Sequence, residues 1–370
     1  MAACTSLEYI LGRMTTAVGA EPAAAAIPVA AARRSGYLVG PFYDGLFFIG
    51  SPLIALAIGI AISGTPVATR YFRMFSHEGT AATMFIGGFT MAHLVIVFFR
   101  THGNREIFAT HPYRFTVVPV LLLVAMTASL WVQCAVAVLA TFWDVYHSSL
   151  QTFGLARIYD RRAGNDPAAG RQLDYLLNLL LYAGPIAAGV SLMRHMNEFK
   201  AFRALGSVLL TRIPERVEAI HPWLTIAVLG VGVPFLIYYV LRYALLAREG
   251  HHVSLQKVAL LVSTGTCSIY CWTFDSFGQA FFVMNFFHAL QYFALVWYSE
   301  KKNMTGLFRV SAARVALPVT FALFVGVAAA YGFFAEVFAD AGFLLSVTLV
   351  VSIMHFWWDG FIWSVRRRQV

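Results

Sequence analysis

The chain has 370 residues, of which 59% are hydrophobic and 12% charged, with a mean hydropathy of +0.69. A soluble domain carries about 25% charged residues and could not hide this much apolar surface, which excludes an ordinary water-soluble fold. The formal charge of +9 would suit nucleic acid, but the basic residues flank apolar blocks. Membrane topology accounts for them, and no nucleic-acid partner is expected.

Residues 1–40 are Ala-rich and interrupted by Glu8, Arg13, Glu21, Arg33 and Arg34. They lack the compact apolar core of a secretory signal and read as a flexible cytoplasmic leader. Residues 41–370 read as one all-α membrane helix bundle, because the apolar blocks are about 20 residues long, enough to cross roughly 30 Å of hydrocarbon. The first blocks are Gly45 to Gly64 and Thr83 to Phe99. A stretch from Phe115 to Ile158 is too long for one span and is divided near Trp131 to Cys134, although no Gly or Pro marks a turn there. The rest are Leu173 to Met193, Pro222 to Leu246, Leu255 to Phe274, Phe277 to Tyr298, Ala313 to Phe334 and Phe338 to Trp363. About ten spans result.

Charge supports this count. With the N-terminus inside, 20 of the 27 Lys and Arg residues fall on inner segments, so both termini are expected in the cytoplasm of a multi-pass protein of the bacterial inner membrane. Between the fifth and sixth spans, Phe199, Phe202, Leu205, Val208 and Leu209 recur at helical spacing with Lys200 and Arg203 between them. An interfacial helix on the outer leaflet, near residues 196–214 and ending about Pro214, is expected. Cys4, Cys134, Cys267 and Cys271 form no CxxC, and Cys267 and Cys271, one helical turn apart, read as small buried core residues.

Chemistry concentrates in the second, fourth, eighth and tenth spans, which hold His93, His147, His288 and His355. All four spans run from outside to inside, and the next basic residue follows each histidine after 7 to 13 positions. At 1.5 Å per residue the imidazoles share a layer about 10 to 20 Å from the inner edge. Polar residues three or four positions apart lie on the same helical faces: Asp144, His147 and Gln151; Asn285, His288, Gln291 and Tyr292; His355 and Asp359. A carboxylate at a span centre costs roughly 2.5 to 3.5 kcal/mol, so Asp144 and Asp359 require a partner. Every Lys and Arg lies at a span edge or in a loop, which leaves protons or a metal cation. Neutral imidazole with carboxylate suits Fe, Zn or Mn, and two histidines with one carboxylate suit non-haem iron.

The strings AHLVIVFFRTH (92–102), WDVYHSSLQTFGLARIYD (143–160), FFHALQYFALVWY (286–298) and HFWWDGFIW (355–363) resemble stretches of bacterial polytopic membrane proteins. Their layout resembles that of the membrane-bound non-haem di-iron oxygenases, the fatty-acid desaturases and the lipid and alkane hydroxylases. It lacks their HxxHH box and any HxxxH pair. A partial likeness to multi-span carotenoid-cleaving dioxygenases rests on intramembrane His and Asp. The first resemblance implies O2 activation at iron and oxidation of unreactive C–H bonds in lipid-like substrates.

The expected function is thus a metal-dependent oxidoreductase, with one or two iron ions or zinc, acting on a hydrophobic substrate from the bilayer and served by an electron-donor protein. His93, His147, His288, His355, Asp359 and Asp144 are the expected ligands, with His102 and His111 as additional ones if their loop folds back. Gln151, Asn285, Gln291 and Tyr292 would orient them, and Arg100 and Arg157 would stand at the cytoplasmic mouth. A haem protein with axial histidines and a proton- or ion-coupled transporter using the His and Asp residues as a relay are the alternatives.

Overall fold

Each apolar block overlaps a helix or helix pair in the computed structural model, which describes residues 36–75, 77–189, 192, 195, 208–310, 315–338 and 342–363. Most of the expected leader, residues 1–35, lies outside the described residues. Residues 38–40 are already anchored, since the amides of Leu38, Val39 and Gly40 donate to the carboxylate of buried Asp44 at 2.6 to 3.2 Å.

The first block is broken. Helix α1 (Pro41–Asp44) runs into a π-helical turn, Gly45–Ile49, and α2 (Ser51–Ile62) restarts after Gly50 with a 54° bend. The Gly50 amide donates back to the Gly45 carbonyl, and Pro52 lacks the amide that would continue the ladder. A short helix α3 (Pro66–Thr69) and a two-stranded antiparallel ribbon, β1 (Tyr71–Met74) with β2 (His77–Thr80), lead to α4 (Ala81–Val95). Thr80 and Thr83 form a reciprocal cap there. Helix α5 (Val97–Thr101) follows a one-residue interruption at Ile96, and α6 (Arg105–Thr110) is a short connector.

The long block is indeed two helices, α7 (Pro112–Ala128) and α8 (Leu130–Arg162). The break is at Ser129, which is extended and caps α8 by accepting the Val132 amide. A cap does here what Gly or Pro often does. Then come α9 (Arg171–Gly189), α10 (Val208–Ala219), α11 (His221–Arg248), α12 (Leu255–Phe274), α13 (Phe277–Leu307), α14 (Ala316–Phe338) and α15 (Gly342–Ile362). Of the expected interfacial helix, residues 196–207 lie outside the described ones; the described part, α10, continues through Pro214 to Ala219.

Among the described residues five helical stretches are long and apolar enough to cross a membrane, and the bent α1–α2 pair would make a sixth. They are Ala81–Thr101, α11, α13, α14 and α15. Helices α7, α8, α9 and α12 are shorter or more polar. Helix α13 is central: it packs on α2, α4, α12 and α14 and contributes to all three apolar clusters of the core. The α4 and α14 backbones touch because a Cβ on Gly332 would stand 2.1 Å from the Gly88 carbonyl oxygen. Helix α15 packs between α4, α7 and α8, so α4, α8, α13 and α15 can offer side chains to one shared interior.

Candidate metal centre

That interior is where the four span histidines meet. His93 on α4, His147 on α8, His288 on α13 and His355 on α15 are all buried, none above 4% exposed. Their rings form a closed circuit, with centroids 5.1 Å apart for His93 and His288, 5.1 Å for His288 and His147, 4.7 Å for His147 and His355, and 5.0 Å for His355 and His93. Neighbouring rings stand edge to face, at 71° to 88°. Asp359, one turn beyond His355, closes one side with Oδ2 3.7 Å from Nε2 of both His147 and His355.

Hydrogen bonding fixes which atoms face inward. The Nδ1 of His355 lies 3.2 Å from the Leu94 carbonyl oxygen, beside the interruption of α4. A carbonyl only accepts, so Nδ1 carries the proton and Nε2 presents a lone pair to the centre. That Nε2 is 3.1 Å from Nε2 of His147. Asp359 is oriented in the same manner: its Oδ1 accepts from the Tyr292 hydroxyl at 2.7 Å and from Trp363 Nε1 at 2.9 Å, which turns Oδ2 toward the imidazoles.

Both ring nitrogens of His288 are buried without a hydrogen-bond partner, and His93 has none beyond a poorly aligned contact with the Thr90 backbone one turn before it; each buried orphan ordinarily costs about 1 to 3 kcal/mol. Among the described residues two donor sets converge within 4.8 Å, His93 with His288 and His355, and His147 with His355 and Asp359. Two nitrogens bound to one ion at about 2.0 to 2.1 Å stand roughly 3 to 3.5 Å apart, the spacing of His147 and His355. A neutral His–His hydrogen bond would suit that single distance too, but it leaves the nitrogens of His93 and His288 unexplained.

The remaining expected residues are placed differently. Asp144 lies one turn from His147 on α8 and belongs to neither converging set. His102 does not fold back: Nδ1 pairs with Thr101 Oγ1 at 2.9 Å and Nε2 with the Phe115 carbonyl at 3.2 Å. His111 packs edge-on against Phe361, also away from the circuit. Gln151 bonds the His288 carbonyl at 3.1 Å and Gln291 at 3.0 Å, and Gln291 bonds the Phe48 carbonyl at 2.8 Å. These amides fix backbones, tying α8 to α13 and α13 to the π-helical turn. Asn285 bonds its own helix at the Phe281 carbonyl.

Arg100 and Arg157, expected at the cytoplasmic mouth, are both buried. Arg100 pairs with Glu300 and lies over the Trp363 ring at 4.2 Å, one residue removed from Asp359. Arg157 belongs to a network that the sequence reading missed. It pairs with Asp160 and Asp174, which also hold Lys257, and Asp174 accepts the hydroxyls of Tyr239 and Tyr243. The i,i+3 spacing of Arg157 and Asp160 was a signal for half of it.

A cavity of about 880 Å³ opens beside the centre and is lined by His147, Tyr292 and Asp359. Set against protein-family models, curated proteins and solved structures, the chain matches none.

Proposed function

We propose that the chain is a membrane-embedded, metal-dependent oxidoreductase of the non-haem iron, O2-using type, acting on a lipid-like substrate. In this reading it has ten spans with both termini in the cytoplasm of a bacterial cell. The helices found at all ten blocks and the alternation of Lys and Arg between loops support that topology.

The observation that carries the proposal is the four-histidine circuit with its buried, unbonded nitrogens. The residues that would hold the ion are His93, His147, His288 and His355, with Asp359 on the His147–His355 side. Iron held by imidazole and carboxylate with an open position supplies O2 activation. The protein supplies everything else. The Leu94 carbonyl fixes the tautomer of His355, Tyr292 and Trp363 aim Asp359, and the cavity gives a substrate access to the Asp359 side. The close packing of the rings favours a bare ion over haem, because a flat macrocycle would have to part them.

Elemental analysis of detergent-purified protein tests this. One transition metal per chain, predominantly iron, is expected. His355→Ala should lose it, because His355 belongs to both converging sets, whereas His102→Ala should keep it. Stoichiometric absence of every transition metal from the wild-type protein would remove the reading.

A further inference from the structure

We infer that Tyr292 is a redox residue: its ring gives up an electron while its phenolic proton passes to Asp359, which makes it an internal electron donor to the centre. The donor role rests on the metal-centre reading, whereas the ease of oxidation rests on the surroundings of Tyr292 alone.

Position comes first. Among the described residues, two aromatic side chains other than histidine touch the circuit of imidazoles. Phe356 lies 5.0 Å from His147 and 5.7 Å from His355, and Tyr292 lies 4.6 Å from His355 and 6.2 Å from His93, ring centroid to ring centroid. Rings this close need no further carrier for an electron to pass between them. A phenyl ring has no acidic hydrogen to release, so an electron taken from Phe356 would leave an uncompensated positive charge in an apolar interior. A phenol avoids that charge by losing its proton at the same time.

The proton has an acceptor in place. Tyr292 is 1% exposed, and its hydroxyl donates to Asp359 Oδ1 at 2.7 Å, close enough for direct transfer. Oxidation then balances within the pair. One electron leaves the ring for an O2-derived one-electron oxidant at the centre, the O–H bond breaks, and the proton converts the carboxylate into a neutral acid. A neutral phenoxyl radical remains, hydrogen-bonded to that acid. A one-electron reductant from outside later returns the electron, and Asp359 returns the proton. Reductive activation of O2 consumes more electrons than one metal ion gives up at a time, and Tyr292 stands where the next can come from.

Other tyrosines also bond carboxylates, but in different settings. Tyr159 bonds Asp44 at 3.0 Å, and three backbone amides already hold that carboxylate. Tyr239 and Tyr243 bond Asp174, which pairs with Arg157 and Lys257. Hydrogen-bond donors and cations both favour the charged carboxylate over its acid, so neither Asp44 nor Asp174 readily takes a proton. Asp359 has no Lys or Arg bonded to it among the described residues; its neighbours are two imidazoles, Trp363 and Tyr292 itself. Trp363 is the other oxidisable group at hand, its ring 6.2 Å from that of Tyr292 and its indole N–H on the same Oδ1 at 2.9 Å. The Arg100 guanidinium lies 4.2 Å over that indole, and a cation there opposes positive charge on the ring. The oxidised state therefore settles on Tyr292.

The test is flash photolysis of the full chain in detergent, stripped of metal by a chelator, with a ruthenium tris-bipyridine sensitiser and a sacrificial electron acceptor, read by electron paramagnetic resonance. A tyrosyl signal that outlives the sensitiser is expected, narrowed by ring-deuterated tyrosine and unchanged by deuterated tryptophan. Tyr292→Phe should lose it. Asp359→Asn, which keeps the phenol and removes the proton acceptor, should lose it too. Tyr159→Phe and Tyr239→Phe should keep it, and Trp363→Phe should keep its tyrosyl line shape. Each variant is first checked for folding by its melting curve. Persistence of the signal in Tyr292→Phe, or a tryptophanyl signal that Trp363→Phe removes, would overturn the inference. Loading the protein with ferrous iron and then admitting O2 tests the donor role: the same Tyr292 signal is expected, and its absence from protein that has bound iron overturns that role. Failure to bind any transition metal removes the centre instead and leaves the flash result standing.

Discussion

Two buried polar clusters share helix α8 and meet the cost of burial in opposite ways. Around Asp174, two cations face two anions. Lys257 Nζ lies 2.8 Å from both Asp160 and Asp174, Arg157 bridges the same pair, and the hydroxyls of Tyr239 and Tyr243 fill the second oxygen of Asp174 at 2.8 and 2.7 Å. Around His355, four imidazoles adjoin one carboxylate that faces two of them, the Tyr292 and Trp363 side chains that bond Asp359 are neutral, and the ring nitrogens of His288 bond nothing. The first cluster balances its charges within the chain, leaving only Asp160 Oδ1 and His251 Nε2 unbonded at its edge, and joins α8, α9, α11 and α12. The second has no counter-charge bonded to Asp359 among the described residues beyond its imidazoles, and on the proposed reading a positive ion would supply it, which is what would separate a structural clamp from a reactive centre.

The sharpest way to break the comparison is to remove a charge from the charge-balanced cluster. Asp174→Asn leaves Arg157 and Lys257 with a single buried anion. Breaking a buried pair on one side costs about 3 to 5 kcal/mol, so a large fall in melting temperature in detergent is expected, with or without metal. An unchanged melting temperature would show that the network is not a clamp. The centre should respond with the opposite sign. His288→Leu removes two orphaned nitrogens at similar volume, so the metal-free protein should gain stability by about 1 to 3 kcal/mol. The same variant should melt lower than wild type once metal is supplied. Thermal unfolding with and without a chelator distinguishes the cases, and a loss of stability in both would make His288 an ordinary packing residue.

Much of this could be read from residue order. The helical blocks announced themselves by length and apolarity, and the shared depth of His93, His147, His288 and His355 followed from counting to the next basic residue. The pairing of His355 with Asp359 followed from the helical turn. What stayed hidden was rotation and rank. Asp144 and His147 share a face of α8 by spacing, yet only His147 joins the converging sets, because a stripe of 60° does not say which edge faces the partner helix. Lys257 and Arg157 looked like ordinary interfacial charges because helix ends usually meet water. Their burial depends on α9 and α11 closing over them, which is tertiary information. Trp363 escaped notice for the same reason: one aromatic among 56 gains a role only through the carboxylate it touches.

A smaller effect probes the rim of the charge-balanced cluster. His251, in the connection between α11 and α12, points Nε2 at Asp160 Oδ1 from 3.8 Å without a hydrogen bond. Burial pushes its pKa below the usual imidazole value; Asp160 and Asp174 work against that shift, and Lys257 and Arg157 add to it. A fifth charge would unbalance a network whose two cations and two anions already cancel. The unfolded chain takes up the proton near pH 6.5, so between that value and the lower folded one the unfolded state binds more protons. The stabilisation is present above about pH 6.5 and is lost as the pH falls toward the folded value. Melting temperature should therefore decline from pH 7.5 to 5.5, and His251→Asn should flatten the part of the decline that lies below pH 6.5. The neighbouring His252 is the control. Its backbone amide and carbonyl are held by Asn165 at 2.8 and 2.7 Å, so His252→Asn should leave the slope as it is. If both variants behave alike, the acid sensitivity belongs to another group and His251 is not part of the network.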